Sequence, residues 1–320
     1  MTQESTAEYA VSRLESRLGD LHQGILLVRQ RERLAEIDAL FPTLTHRLAM
    51  LRSRGYAYQG HLEERLAALA ARWPEARSRA EAALEAEILI LRPEADRADL
   101  AVRRVAPLRA RELSSVQQAV DQAEDVLSSA ERRVAAARQA VEGHYQPLTN
   151  EVSAVEGEVQ ACERVLDALA GATFALEAGE GAVSSVEARW AEGNTYVEGL
   201  LFLTDRRLLF ERREKVARKK ILFITTASEL VKEVRWQAAL ADLEHIEASE
   251  ARKALISKRE ILAVSPRGGA RVAPAQFELR ADSDAWRALI LRCQSGEIAT
   301  ERSGQAPEVP EYVVPPKCPT

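Results

Sequence analysis

A chain of 320 residues is long enough for two domains of ordinary size, and its composition changes along its length. A net charge of -5 with a pI near 5.8 supplies no global positive field, which argues against nucleic-acid binding and leaves any anionic partner to a local patch. No stretch approaches the roughly 20 uncharged apolar residues of a bilayer span and the start lacks a secretory pattern, so a cytoplasmic location is expected. Cys162, Cys293 and Cys318 are odd in number and far apart, which fits a reducing compartment better than a disulfide framework.

The first half is biased toward Ala, Glu, Arg and Leu, the composition of long helices. Val11, Leu14, Leu18, Leu21, Ile25 and Val28 alternate steps of three and four and define one helical stripe, which Pro42 is expected to end. Leu62, Leu66, Leu69 and Trp73 lead to Pro74, and Ala80, Leu84, Ile88 and Leu91 lead to Pro93, where kinks or stops are expected. Leu113, Val116, Val120, Ala123, Leu127, Ala130, Val134, Ala137 and Val141 keep heptad spacing without a slip, as a coiled-coil seam does. Gly143 to Pro147 interrupts this seam as a hairpin or hinge, and Leu148, Val152, Val155, Val159, Cys162, Leu166 and Leu169 resume it in a shifted register. So narrow a stripe must find a partner, either within the chain or in another copy.

After Gly171 the period shortens. Turns at Glu177–Gly181 and Glu192–Asn194 bracket an alternating run through Val186, Ala188 and Trp190, and Thr195–Thr204, the corner Asp205–Arg206 and Arg207–Arg212 form a hairpin. Further strand-like runs are Lys220–Thr226, Lys232–Trp236, Ala254–Ser257, Ile261–Val264 and Gln276–Arg280. Ser283 is placed to cap a last helix with Trp286, Leu289, Ile290 and Cys293 on its apolar side, ending near Gly296. Seven or so short strands and one helix predict a small antiparallel barrel with a helical plug.

The run Gly199-Leu200-Leu201-Phe202-Leu203-Thr204-Asp205-Arg206-Arg207-Leu208-Leu209-Phe210 resembles the G-x-L-x-L-T-x-x-R-L-x-F hairpin of GRAM and bacterial PH-like domains. That resemblance covers about residues 172–296. It implies a PH-like barrel with a C-terminal helix, a fold that hosts lipid, peptide and structural roles alike. The fold class expected is therefore α+β multidomain: a helical coiled-coil region over 1–170, a GRAM/PH-like barrel over 172–296 and a Pro-rich tail over 297–320.

Arg212, Arg213, Lys215, Arg218, Lys219 and Lys220 lie within nine residues and form the one candidate anionic-surface patch. A solvated strand edge that guards against edge-to-edge pairing accounts for the same residues. These cations follow the Gly199–Arg212 hairpin, whereas phosphoinositide-binding PH-like domains carry theirs in the first hairpin of the barrel. No aromatic residue stands among them to stack a base, so no nucleic-acid partner is expected. The five histidines never pair at helical metal-site spacing, and no nucleophile elbow, P-loop or dinucleotide fingerprint is present. No catalytic, metal or cofactor site is therefore expected. Lys317-Cys318-Pro319-Thr320 is similar to the first knuckle of a zinc ribbon but lacks the second cysteine, as a piece of a longer zinc-ribbon protein or an unpaired thiol would.

The reading is a non-enzymatic cytoplasmic scaffold or adaptor, peripheral at the inner membrane face. Its rods serve self-association or a protein partner, and its PH-like domain docks a protein or an anionic lipid surface. The alternative is a membrane-remodelling helical-hairpin protein that polymerises on bilayers, although Glu4, Glu8, Glu15 and Asp20 beside Arg13 and Arg17 give its first helix only a mixed face.

Overall fold

The computed structural model describes residues 7–193, 195–221, 224–254 and 257–303, with the side chains of 215–230 and 252–257 outside that description. Packing divides the chain into two units: Met1–Leu44 with Arg65–Val155, and Thr45–Glu64 with Glu156–Thr320. The expected division, at 170–172, follows chain order; the packing division does not, because residues 45–64 and 156–171 group with the sheet.

Five long helices come first: α1 Glu8–Gly24, α2 Val28–Ser53, α3 His61–Val105, α4 Leu113–Gly143 and α5 Gln146–Ala170. The heptad seam of α4 is the buried face of that helix from Val116 through Val141. Its partners lie in the same chain. Arg13 pairs with Glu124, Arg17 Nη2 lies 2.6 Å from Glu131, and Gln30 Nε2 donates to Glu142 at 2.9 Å, so α1 and the start of α2 run parallel to α4. Arg31 with Glu85 at 2.9 Å and, just past the end of α3, Arg109 with Glu15 at 2.6 Å set α3 antiparallel to α1 and α2. The first unit is thus a helical bundle whose narrow Ala- and Val-rich stripes are buried within the chain.

Pro42, Pro74 and Pro93 do not stop their helices; α2 and α3 run through them. All three rings are exposed, so the carbonyls they leave without a donor lie toward water, and tertiary packing of the buried stripe outweighs the lost bonds. The interruption after Gly143 is a joint and not a hairpin. His144 keeps helical φ/ψ, and its amide and that of Tyr145 donate to Val141 and Glu142 at 3.2 and 3.1 Å.

Seven strands follow: β1 Ala182–Glu192, β2 Thr195–Thr204, β3 Arg207–Ile221, β4 Ile224–Ala239, β5 Leu243–Ala254, β6 Ser257–Pro266 and β7 Ala275–Leu279. They form one antiparallel sheet in the order β4-β3-β2-β1-β7-β6-β5. The expected barrel is not closed. β4 and β5 are the two edges, because their outer sides find no strand neighbour among the described residues. Of the runs expected at Lys220–Thr226, Lys232–Trp236 and Ala254–Ser257, residues 222–223 and 255–256 lie outside the described residues; the rest of the first two belongs to β3 and β4, and Ala254 pairs with Ser257 where β5 ends and β6 begins. Phe174 lies outside any strand and packs edge-on against Phe202, 5.1 Å between centroids.

Cross-strand register puts Trp190 opposite Phe277 and Leu201 opposite Phe210, so one face gathers an aromatic core. Phe277 lies 5.6 Å from Phe210 and 5.4 Å from Trp236, while Trp190 lies 6.0 Å from Phe210. Gly199 permits this crowding: a Cβ there would sit 2.1 Å from the Glu211 carbonyl oxygen and 2.8 Å from the Phe210 ring.

The last helix, α6 Ser283–Gln294, buries Trp286, Ile290 and Cys293. Its cap is Asp282, whose side chain accepts from the Ala285 amide, while Ser283 Oγ donates to Glu260 at 2.8 Å. Gly296, at φ 78°, takes the left-handed conformation just beyond it.

Candidate functional site

The candidate patch begins where the sheet narrows. β2 pairs with β3 only from Leu203↔Leu208 to Gly199↔Arg212, whereas β3 and β4 continue as a pair to Ile221↔Ile224. From Arg213 onward β3 is therefore paired with β4 alone, as a two-stranded ribbon, while β2 continues to Thr195 paired with β1. Two-stranded ribbons contribute little burial of their own, so this part of the hairpin is held chiefly by its ladder.

Arg212 and Arg213, at the root of the ribbon, are engaged internally. Arg212 Nη2 lies 2.5 Å from Glu214, and Arg213 Nε lies 2.6 Å from Glu211. Arg213 also donates to the Ala168 carbonyl at 2.9 Å and stacks its guanidinium 5.6 Å from the Phe202 ring centroid. Glu211 is fully buried and accepts from the Thr173 amide and hydroxyl at 2.5 and 2.9 Å. Arg213 thus neutralises a buried carboxylate. The side chains of Lys215, Arg218, Lys219 and Lys220 lie outside the described residues; their backbone places them along β3 in the ribbon.

A second buried carboxylate sits at the opposite end of β2. Glu180 is held by Arg207 at 2.6 Å, by the Thr204 hydroxyl at 2.6 Å and by the Glu177 amide at 2.7 Å. Burial pushes its carboxyl up, but these hydrogen bonds and the Arg207 charge hold it below the ordinary glutamate range. Arg206, at the same corner, is exposed and donates to the Ala178 carbonyl at 3.1 Å.

The sheet also carries a concave region of about 490 Å³ lined by Glu187, Arg189, Glu198, Arg213, Glu278 and Arg280 among others. Its charges satisfy one another: Arg189 with Glu198 and Arg280 with Glu187, each at 2.9 Å, and Arg259 with Glu278 at 3.5 Å. Such a surface has no surplus of one sign to attract an ion.

Both described cysteines are free and buried. Cys162 Sγ donates to Gln59 Oε1 at 3.3 Å, and burial pushes its thiol up; burial pushes the Cys293 thiol up to about 12. Both are protonated core groups at neutral pH. Cys318 lies outside the described residues. Among the described residues no group of three or more His, Cys, Asp or Glu gathers to hold a metal, and no helix is long and apolar enough to cross a membrane.

No family model and no curated protein matches this chain. Among solved structures, the Slm1-PH domain in complex with inositol-4-phosphate is 16% identical, covers 36% of this chain and 95% of its own, and has a TM-score of 0.21. The DH/PH domains of PDZ-RhoGEF in complex with activated RhoA are 12% identical and cover 84% and 95%, with a TM-score of 0.27. The C-terminal domain of an unknown protein from Leishmania infantum is 19% identical and covers 36% and 86%, with a TM-score of 0.24. Scores this low carry no argument about this chain. The sheet itself has seven antiparallel strands in meander-like order followed by a helix packed on β5 and β6.

Proposed function

We propose that the chain is a non-enzymatic docking scaffold. Its helical unit supplies reach and a surface for association, and its PH-like sheet unit docks on an anionic membrane surface through the β3–β4 ribbon. One observation carries this reading: the β3–β4 ladder continues from Arg213↔Lys232 to Ile221↔Ile224, beyond the last β2–β3 pair Gly199↔Arg212, and carries Lys215, Arg218, Lys219 and Lys220 with it. Cations on a projecting element meet a flat surface before the rest of the domain does, and each contributes about 1 kcal/mol near anionic lipid. Arg212 and Arg213 serve instead to anchor the ribbon root through Glu214 and Glu211. The open edges of the sheet favour a second reading, a protein partner that adds a strand along β4 or β5.

Sedimentation of the full chain with phosphatidylserine-containing and with phosphatidylcholine vesicles, at low and high salt, tests the first reading. Pelleting with the anionic vesicles alone, weakened by salt and reduced at least about a hundredfold by joint reversal of Arg218, Lys219 and Lys220 to Glu, is the expected result. Absence of pelleting at either salt, or unchanged pelleting of the reversed variant, refutes it and leaves the strand-addition reading.

A further inference from the structure

A surface helix ordinarily carries one apolar stripe toward its core and polar residues opposite it. α3 departs from this between residues 82 and 100. Leu84, Leu91, Ala95, Ala98 and Val102 belong to its buried stripe. On the far side of the same turns stand Ala82, Ala86, Leu89, Ile90, Pro93 and Leu100, all exposed, with Leu89 at 66%, Ile90 at 42% and Leu100 at 52%. Positions 82, 86, 89, 93, 96 and 100 alternate steps of four and three, so they line one continuous strip about 27 Å long at 1.5 Å per residue.

Single exposed hydrophobic side chains need no explanation, but a cluster marks an interaction site. Leu89, Ile90 and Leu100 make three of the ten large hydrophobic side chains exposed among the described residues, and they fall within one short stretch of one helix. Glu85, Arg92, Asp96 and Arg97 border the strip, two charges of each sign. A border without net charge gives anionic lipid no attraction, so the strip calls for a protein surface that is itself apolar and of mixed charge.

The strip is complementary to itself. In an antiparallel pair of α3 helices, related by a two-fold axis between residues 87 and 88, Leu89 faces Ala86 of the second copy and Pro93 faces Ala82. Large residues thus meet small ones. The same operation sets Asp96 against Arg79 and, at the margin, Glu85 beside Arg92, and each of these contacts occurs twice. Arg92 and Asp96 are exposed and have no ion-pair partner among the described residues, so both are available for it. Sliding the copies by one heptad would bring Arg92 against Arg92, and a parallel pair would bring Asp96 against Asp96. Charge therefore selects one direction and one register.

We infer that the 82–100 face of α3 docks a second copy of this chain, antiparallel and across a two-fold axis near residues 87 and 88. This names the association surface of the scaffold reading and rests on that reading for the role of the helical unit, while docking of the β3–β4 ribbon on anionic lipid does not depend on it. A strip one helix wide buries less than a standard interface, so the dimer is in the micromolar class.

Sedimentation velocity of the full chain, without vesicles and from about 1 to about 200 µM, tests the inference: a shift from monomer to dimer with a dissociation constant on the order of 10 µM is expected. Leu89→Asp should weaken it by about tenfold or more, and because Leu89 is exposed the helicity by circular dichroism should stay unchanged. Glu85→Arg and Arg92→Glu should each weaken the dimer, since each opposes like charges at both margins. An equimolar mixture of these two variants makes both margins opposite again and should associate at least about tenfold more tightly than either variant alone. Asp125→Arg mixed with Arg133→Glu, exposed charges on α4 outside the strip, should show no such preference. A chain that stays monomeric throughout overturns the inference and leaves the face to a partner of different sequence; with no vesicle present, that result leaves the ribbon reading untouched. A dimer that survives Leu89→Asp overturns it as well. So does a charge-swapped mixture no tighter than its parts, or one matched by the α4 mixture, which would show net charge alone.

Discussion

Glu180 and Arg207 show how a single pair can fix a corner of the sheet. The Glu180 side chain is 0% exposed and its partner's 17%, so removing the cation leaves an uncompensated buried charge. Arg207→Leu should lower stability by about 3–5 kcal/mol in denaturant titration. The pH dependence has a definite sign. A carboxyl held below its unfolded value of about 4.3 contributes fully above that pH, and the contribution is lost as pH falls through the lowered folded value. Thermal melts from about pH 6 down to about pH 3 should show a smaller loss for Glu180→Gln than for the parent chain, and equal slopes would rule out this role. Neither buried glutamate was legible in the sequence: Glu180 sits in a Gly-flanked stretch that reads as a turn, and Glu211 closes an apolar run that reads as a strand end. The one trace is that Glu211 is followed by two arginines, a grouping that reads as a surface patch until the backbone brings Thr173 and Arg213 around the carboxylate.

At the scale of elements, the α4 seam was legible except at its first position, Leu113, which is half-buried, because a heptad repeat needs only local periodicity to define a face. Val116, Val120, Ala123, Leu127, Ala130, Val134, Ala137 and Val141 are all buried. Leu127 is 0% exposed, and Leu127→Ala should cost about 2–5 kcal/mol by chemical denaturation without changing helix boundaries. The proline-containing helices were less legible. Pro42 read as a stop and Pro74 and Pro93 as kinks or stops, yet an exposed proline loses only one hydrogen bond, while the buried stripe on the other side of the helix continues. The number of strands was legible, but their assignment and length were not: no expected run covers β5 Leu243–Ala254. β3 and β4 run through the charged and mixed residues that alternation takes for a loop, since a hairpin ladder supplies backbone pairing whatever the side chains are.

At the scale of the whole molecule, the unit that contains the sheet draws on helix-region residues 45–64 and 156–171. The Tyr56 hydroxyl donates to the Val183 carbonyl at 3.1 Å, the Gly60 amide to Glu301 at 2.8 Å and the Ser303 amide to Ala57 at 2.8 Å. Tyr58 packs so closely on Gly181 that a Cβ there would lie 2.7 Å from its ring. A fragment of residues 172–303, the stretch that chain order suggests as a domain, should therefore melt well below the sheet transition of the full chain. Equal melting temperatures by calorimetry would show that the Tyr56–Gly60 segment contributes nothing.

Sequence by itself determined the helical half, the seven-strand half, the hairpin at Asp205–Arg206 and the clustering of cations after it, because each is written in short-range periodicity and turn chemistry. Only the tertiary structure decided that the rods bury their stripes against one another within one chain, that the sheet stays open at β4 and β5, and that Arg213 belongs to a buried ion pair. It also left Leu89, Ile90 and Leu100 of α3 exposed. These outcomes depend on which distant segments meet, and the meeting of residues more than a hundred positions apart, such as Gln30 and Glu142, leaves no periodic mark in either segment.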